Sequence, residues 1–266
     1  AEANNGKGIA GVSYGAKIVP VKVFNSEDFC TTADLLKAYS YLEELIATNA
    51  VPNLKVVNMS LGYYAQDLQD GDKALQNAIA LMRDKYGVLT VCASGNSGKP
   101  TQCFPASFDE CLSVGALDKD DTVASFSRNN FGQNIYASGV DIVSTNHNGG
   151  YSILSGTSMA SPQVAAAAAV LWSVNRDLTV DEVVDLLQNN AKEVSENTNN
   201  SSSNKKGLDL NAALSSLVGG NDIESVDEAN SDKVDSVVSS GFPNIQEDSV
   251  ESRNDKPTSG FDTDLQ

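Results

Sequence analysis

The strongest constraint on this chain is a set of short apolar runs separated by longer amphipathic segments. Residues 55–60 (KVVNMS) and 88–93 (VLTVCA) read as buried strands, and 17–24 (KIVPVKVF) is a further β-rich run. Residues 34–50 carry apolar side chains at helical spacing through Leu35, Leu36, Tyr39, Leu42 and Ile46. Residues 68–86 do the same through Leu75, Ile79 and Met82. Buried strands joined by helices require crossover connections, which are right-handed and build parallel sheets. The predicted fold is therefore α/β, three layers deep, with helices on both faces of a mainly parallel sheet. Shorter strands are expected at 111–116, 123–126, 134–137, 141–144 and 151–154. Helices are expected at 158–172, 180–190 and 208–217, and no internal repeat is visible.

The 266 residues suffice for a sizeable core. Their charge is uneven. Residues 217–266 hold 12 acids and 3 bases, a net −9 of the total −17, with Phe242 and Phe261 as the only aromatics. Such a segment buries too little apolar surface to offset its ordering entropy and is expected to be a disordered acidic tail or linker. The polar patch at 195–206 is expected to be an exposed loop. Residues 1–216 are expected to form the folded unit. The acidic balance argues against nucleic-acid partners. No apolar run reaches the roughly 18 residues of a membrane span. The sequence begins at Ala1 without a signal-like segment, so a processed product or fragment is expected.

One histidine, His147, limits the chemistry further, because a multi-histidine metal site cannot be built from this sequence. The segment 155–162 (SGTSMASP) follows a predicted strand and opens an alanine-rich helix. Ser158 there reads as an N-cap or as a nucleophile, because the positive end of a helix favours a developing oxyanion. Pro162 is expected in the first helical turn, where its missing N–H costs nothing. Chain order narrows the nucleophile reading. A G-x-S-x-G elbow needs a second glycine, where Ala160 stands, and a later histidine, and none follows Ser158. A His…Asp…Ser order needs an aspartate between His147 and Ser158, and none is there. Only Asp…His…Ser remains.

The sequence resembles the subtilisin-like serine proteases. GTSMASP (156–162) is similar to their nucleophile motif, and NNGKGIAGV (4–12), KIVPVKVF, NMSLG (58–62), CASGNSG (92–98), FPAS, LSVGAL and ASFS follow in the family's order. The resemblance covers residues 3–215 and implies serine-type endopeptidase activity. It implies Ser158 as nucleophile and Asn96 as oxyanion donor. Ser60, Leu61 and Gly62 match the substrate-binding strand edge, and Ala93, Ser94 and Gly95 the facing wall of the pocket for the residue before the cut. The family's catalytic aspartate and histidine precede the segment matched by 4–12, so they are expected upstream of Ala1. The chain as given is then expected to be inactive, with a peptide-binding or structural remnant as the alternative. His147 is expected to be an exposed loop residue, and Gln163 carries no catalytic expectation.

The resemblance further matches Asn5 to a calcium ligand, so a structural calcium is an expectation, while the chemistry needs no cofactor. A polypeptide substrate, a monomer and an extracellular or cell-surface setting are expected. Cys103 and Cys111 enclose a short loop between predicted strands, and a disulfide between them is expected in an oxidising compartment. Cys92 reads as a small core residue, the pairing of Cys30 stays open, and no C-x2-C spacing suggests zinc.

Overall fold

The computed structural model describes residues 3, 5–64, 68–99, 101–127, 134–147, 149–195 and 205–219. The expected acidic tail from 220 onward and positions 196–204 of the polar patch lie outside the described residues. A six-stranded sheet runs in the order β1-β3-β5-β6-β10-β9. Its strands are β1 (Val56–Met59), β3 (Leu89–Ala93), β5 (Cys111–Leu117), β6 (Asn134–Ser138), β10 (Lys205–Gly207) and β9 (Lys192–Val194). All neighbours are parallel except β9, which pairs antiparallel with β10. Two small antiparallel pairs stand apart from this sheet: β2 (Tyr63–Tyr64) with β4 (Cys103–Phe104), and β7 (Ile142–Thr145) with β8 (Tyr151–Leu154).

Every residue of β3 and β5 is buried, as strands covered on both faces must be. Successive side chains point to opposite faces, so one strand feeds two cores. Leu89 and Val91 join the layer formed by helix α3 (Thr157–Val174), α4 (Val180–Asn189) and α5 (Leu210–Leu217). Cys92 joins the opposite layer with Leu35, Tyr39 and Leu42 of α1 (Thr32–Ala47) and Leu75, Ile79 and Met82 of α2 (Asp70–Tyr86). This is the three-layer arrangement with helices on both faces.

Several local expectations need correction. Residues 17–24 form no strand. Val19, Val21 and Val23 lean on the α1–α2 core, while Ile18 is 83% exposed. A strand needs a ladder partner, and a groove of about 610 Å³ separates this segment from β1. Ile18, Val21, Leu42, Val57, Leu61 and Pro162 are among its lining residues. At 122–123 there are only isolated bridges, Leu117 to Val123 and Thr122 to Ser195, followed by a turn. Strands β9 and β10 were not expected; their short sequences KEV and KKG lack the apolar signal of a buried run.

The expected Cys103–Cys111 disulfide is not formed, and none of the four cysteines is in a disulfide. The two residues belong to different sheets: Cys103 pairs with Tyr64 in the small β2–β4 ladder, and Cys111 pairs with Thr90 in the main sheet. Cys103 Sγ is instead wedged against Gly62, where a methyl group would lie 2.7 Å from it. Cys92 is fully buried, and burial, together with its hydrogen bond to Cys111, pushes its thiol well above the ordinary value.

Candidate active site

Parallel strands carry their loops at a common end, and the C-terminal ends of β1 and β3 place 60–62 and 94–96 side by side. Helix α3 starts at this same end. Its N-cap is Gly156, which has no side chain of its own to cap it, and its first turn holds no acid. Thr157 is its first residue and Ser158 its second, so the Ser158 N–H has no helical carbonyl four residues back. The positive end of the helix dipole therefore faces the site without a compensating charge.

Asn96 is brought to this helix end from the β3 loop. Its Oδ1 accepts both the Thr157 N–H and the Thr157 hydroxyl, each at 2.9 Å. With the oxygen so engaged, the Asn96 amide nitrogen is the group left to donate. It lies 3.3 Å from where a β-carbon on Gly156 would stand, so glycine is what lets this amide approach the start of the helix. The loop is pinned residue by residue. Ser94 N–H donates to Val114 O at 3.0 Å, Gly95 N–H to Thr157 Oγ1 at 3.1 Å, and Gly98 N–H to Phe126 O at 3.0 Å.

Ser158 is tied to the opposite strand end. Pro162 is the sixth residue of α3 rather than part of its first turn, a correction to the sequence expectation. Proline has no N–H, so the Ser158 carbonyl four residues back loses its helical donor. The Ser60 hydroxyl supplies one instead, at 2.8 Å. Asn58 completes the link: its Nδ2 donates to Ser60 Oγ at 3.0 Å, and its Oδ1 accepts the Ser161 hydroxyl at 2.6 Å. The Ser158 hydroxyl itself points at Ser60 O, 3.4 Å away.

The two expected walls face each other. Ala93 and Ser94 are buried, and Ser60, Leu61, Gly62 and Gly95 are partly buried. Cys103 Sγ sits between them, 2.7 Å from a methyl placed on Gly62 and 3.2 Å from one on Gly95. Added side chains at either glycine would fill the space between the walls. Sequence reading did not single out Asn58, Tyr64, Thr157 or Ser161 as site residues. The signal for three of them was present, because Asn58 lies inside the NMSLG stretch and Thr157 and Ser161 inside GTSMASP.

The other expected residues stand at the surface or make local contacts. His147 is exposed in the turn between β7 and β8. Asn5 Oδ1 accepts the Lys7 N–H at 3.0 Å in a local turn. Among the described residues no three His, Cys, Asp or Glu side chains converge to hold a metal ion. Gln163 Nε2 donates to Ser138 O at 2.7 Å and to Met159 O at 3.0 Å, a packing role on α3. Among the described residues no helix is long and apolar enough to cross a membrane.

Comparison with known proteins matches the same region. The subtilase family model covers residues 1–211. A thermophilic serine proteinase from Bacillus sp. (strain AK1) is 38% identical over 177 residues, covering 66% of this chain and 41% of that protein. Subtilisin BL from Lederbergia lenta is 34% identical over 188 residues, 71% of this chain and 65% of its own length. The cell wall-associated protease of Bacillus subtilis (strain 168) is 37% identical over 195 residues, 73% of this chain and 20% of that protein's length. The chain thus spans less than two thirds of each of these relatives. Among solved structures, a protease from Pseudoalteromonas arctica superimposes with a TM-score of 0.68 at 27% identity, over 82% of this chain and 68% of that one. A cold-adapted subtilisin-like serine proteinase gives 0.59 at 32% identity, over 75% and 67%.

Proposed function

Because the chain belongs to the subtilase family of serine proteases, we propose that it contributes the nucleophile, oxyanion donors and substrate cleft of a serine endopeptidase. Ser158 attacks the scissile carbonyl and forms the acyl-enzyme. The Ser158 N–H and the Asn96 amide donate to the tetrahedral oxygen, and an extended peptide pairs with the Ser60–Leu61–Gly62 edge. The observation that carries this reading is the open start of α3. Its second residue is Ser158, and Asn96 is oriented beside it by two bonds to Thr157.

Serine needs a base to remove its proton. The described partner of the Ser158 hydroxyl is a carbonyl, and His147 is exposed in a hairpin turn. The base and its orienting aspartate are therefore proposed to come from polypeptide outside residues 1–266. Among the described residues β1 ends the sheet, which supports this. The groove beside it is lined by Met59, Ser60, Leu61 and Pro162 at its site end, so a strand added there would carry groups toward Ser158. The likeness to a cell wall-associated protease supports an extracellular or cell-surface setting.

Labelling with a fluorophosphonate tests the assignment. The longer protein should label rapidly at Ser158, and Ser158→Ala should abolish labelling. Residues 1–266 alone should label slowly. Rapid labelling of 1–266 that is lost on His147→Ala would show that the base was misassigned. Labelling of the longer protein at another serine would overturn the reading. A longer protein that binds peptide but never labels would favour a peptide-binding remnant.

A further inference from the structure

Tyr64 reaches from the strand that continues the 60–62 edge to the loop that carries Asn96. The Asn96 N–H donates to Tyr64 Oη at 3.1 Å. The Tyr64 ring lies over Gly95, where an added methyl would meet Tyr64 Oη at 2.9 Å and Cε1 at 3.0 Å. Gly95 has φ +98°, a conformation that glycine adopts and other residues rarely do. The loop therefore makes a sharp turn immediately before Asn96, and its path there depends on outside contacts. Ser94, Gly95 and Gly98 are held by Val114 O, Thr157 Oγ1 and Phe126 O. The anchor for the Asn96 backbone is Tyr64.

Tyr64 is itself braced. It pairs with Cys103 across the β2–β4 ladder, beside the Tyr63–Phe104 pair. The Tyr63 hydroxyl donates to Asp72 Oδ1 at 2.6 Å, and Asp72, only 6% exposed, is fixed at the start of α2. Burial and the Asp72 carboxylate push the Tyr63 phenol well above its ordinary value, so it remains a donor across the neutral range. A line of contacts thus runs from α2 through adjacent tyrosines to the Asn96 backbone.

We propose that Tyr64 is a positioning residue for the oxyanion donor: its hydroxyl holds the Asn96 N–H and its ring closes the turn at Gly95, so that the Asn96 side chain stays aimed at the start of α3. The proposal rests on the role given to Asn96 above. It differs from that role in requiring a link between the two sides of the cleft, because the residue that continues one wall sets the donor on the other.

Tyr64→Phe removes the hydroxyl and keeps the ring, so the β2–β4 ladder and the packing on Gly95 are retained. In residues 1–266, hydrogen exchange followed by NMR should show the Asn96 amide exchanging about tenfold faster in Tyr64→Phe, with the Gly95 and Gly98 amides unchanged. In the longer protein, Tyr64→Phe should lower kcat about threefold to tenfold, the range of one modest hydrogen bond, with KM unchanged. On an Asn96→Ala background the same substitution should cost nothing further, because the side chain being aimed is gone. Unchanged exchange at Asn96 would overturn the proposal, as would an equal loss of kcat with and without Asn96. If Asn96→Ala itself left kcat intact, the oxyanion reading would fail, and Tyr64 as a positioning residue with it. The exchange measurement would still show separately whether the Tyr64 bond exists.

Discussion

Helices α1 and α3 begin in opposite ways. At the start of α1, Thr31 caps the helix, its hydroxyl accepting the Asp34 N–H at 3.2 Å, and Asp34 returns to the Thr31 N–H at 3.1 Å. Helix α4 repeats the device with Thr179 and Glu182. Asp72 accepts the Gln69 N–H at α2, and Asp209 accepts the Ala212 N–H at α5. Of the five described helices, α3 alone starts with a glycine cap and no acid. A carboxylate at a helix start satisfies donors and complements the dipole, which stabilises the fold. The same carboxylate beside Ser158 would occupy the donors an oxyanion needs and repel its charge. The closed starts serve stability, and under the proposed function the open one serves binding, a division made with a few residues at each terminus.

The largest expected effect is at the open start. Ser158→Ala in the longer protein should lower kcat by on the order of 10⁶, a magnitude that comes from subtilisin itself. Peptide binding to the cleft should survive, and a small loss in turnover would remove Ser158 from the nucleophile role. Asn96→Ala should follow with about 10²–10³ in kcat, also a subtilisin-derived figure, and little change in KM. A KM effect alone would make Asn96 a ground-state binding residue.

Ser60→Ala tests how the open helix is anchored. It leaves the Ser158 carbonyl without the donor that Pro162 cannot supply, and should destabilise by about 1–3 kcal/mol in denaturant titration. No loss would mean that the carbonyl is satisfied by solvent. At the closed starts, Thr31→Ala and Thr179→Ala should each lower stability by about 1 kcal/mol and leave fluorophosphonate labelling of the longer protein unchanged. Altered labelling would contradict the division between stabilising and binding termini.

The smallest effect concerns acid. Hydrogen bonds from Thr31 hold the Asp34 carboxyl below 3.8, and those from Thr179 hold Glu182 below 4.5. A carboxyl lowered in the folded state contributes stability that is complete above its unfolded value and is lost as pH falls through the folded one. The loss should therefore begin below about pH 4.5 and continue downward. Asp34→Asn with Glu182→Gln should flatten this acid limb in thermal melts between pH 5 and 3. An unchanged acid limb would show that these caps do not titrate with folding.

Much of this division was legible in order along the chain. Period and run length fixed the helices and buried strands, because burial on two faces leaves an unbroken apolar run and burial on one leaves a helical stripe. The stretch GTSMASP marked the open helix, and CASGNSG marked the loop that meets it. These signals are local, and local chemistry decides them. Partners were not legible. Residues 17–24 have the composition of a strand, but only a neighbouring backbone makes a strand, and none lies beside them among the described residues. Cys103 and Cys111 are close in sequence, yet separate sheets claim them, so they form no disulfide.

The sequence alone determined the layered α/β architecture, the serine at a helix start and the asparagine after a strand, because each depends on residues within one turn or one strand. Only the tertiary structure decided that Pro162 frees a carbonyl for Ser60, that Asn58 bridges Ser60 to Ser161, and that Tyr64 holds the backbone of Asn96. Apart from the short Asn58–Ser60 bond, these join residues 32 to 103 positions apart. No local pattern encodes such pairings, because they exist only once parallel strands bring their loops to the same edge of the sheet.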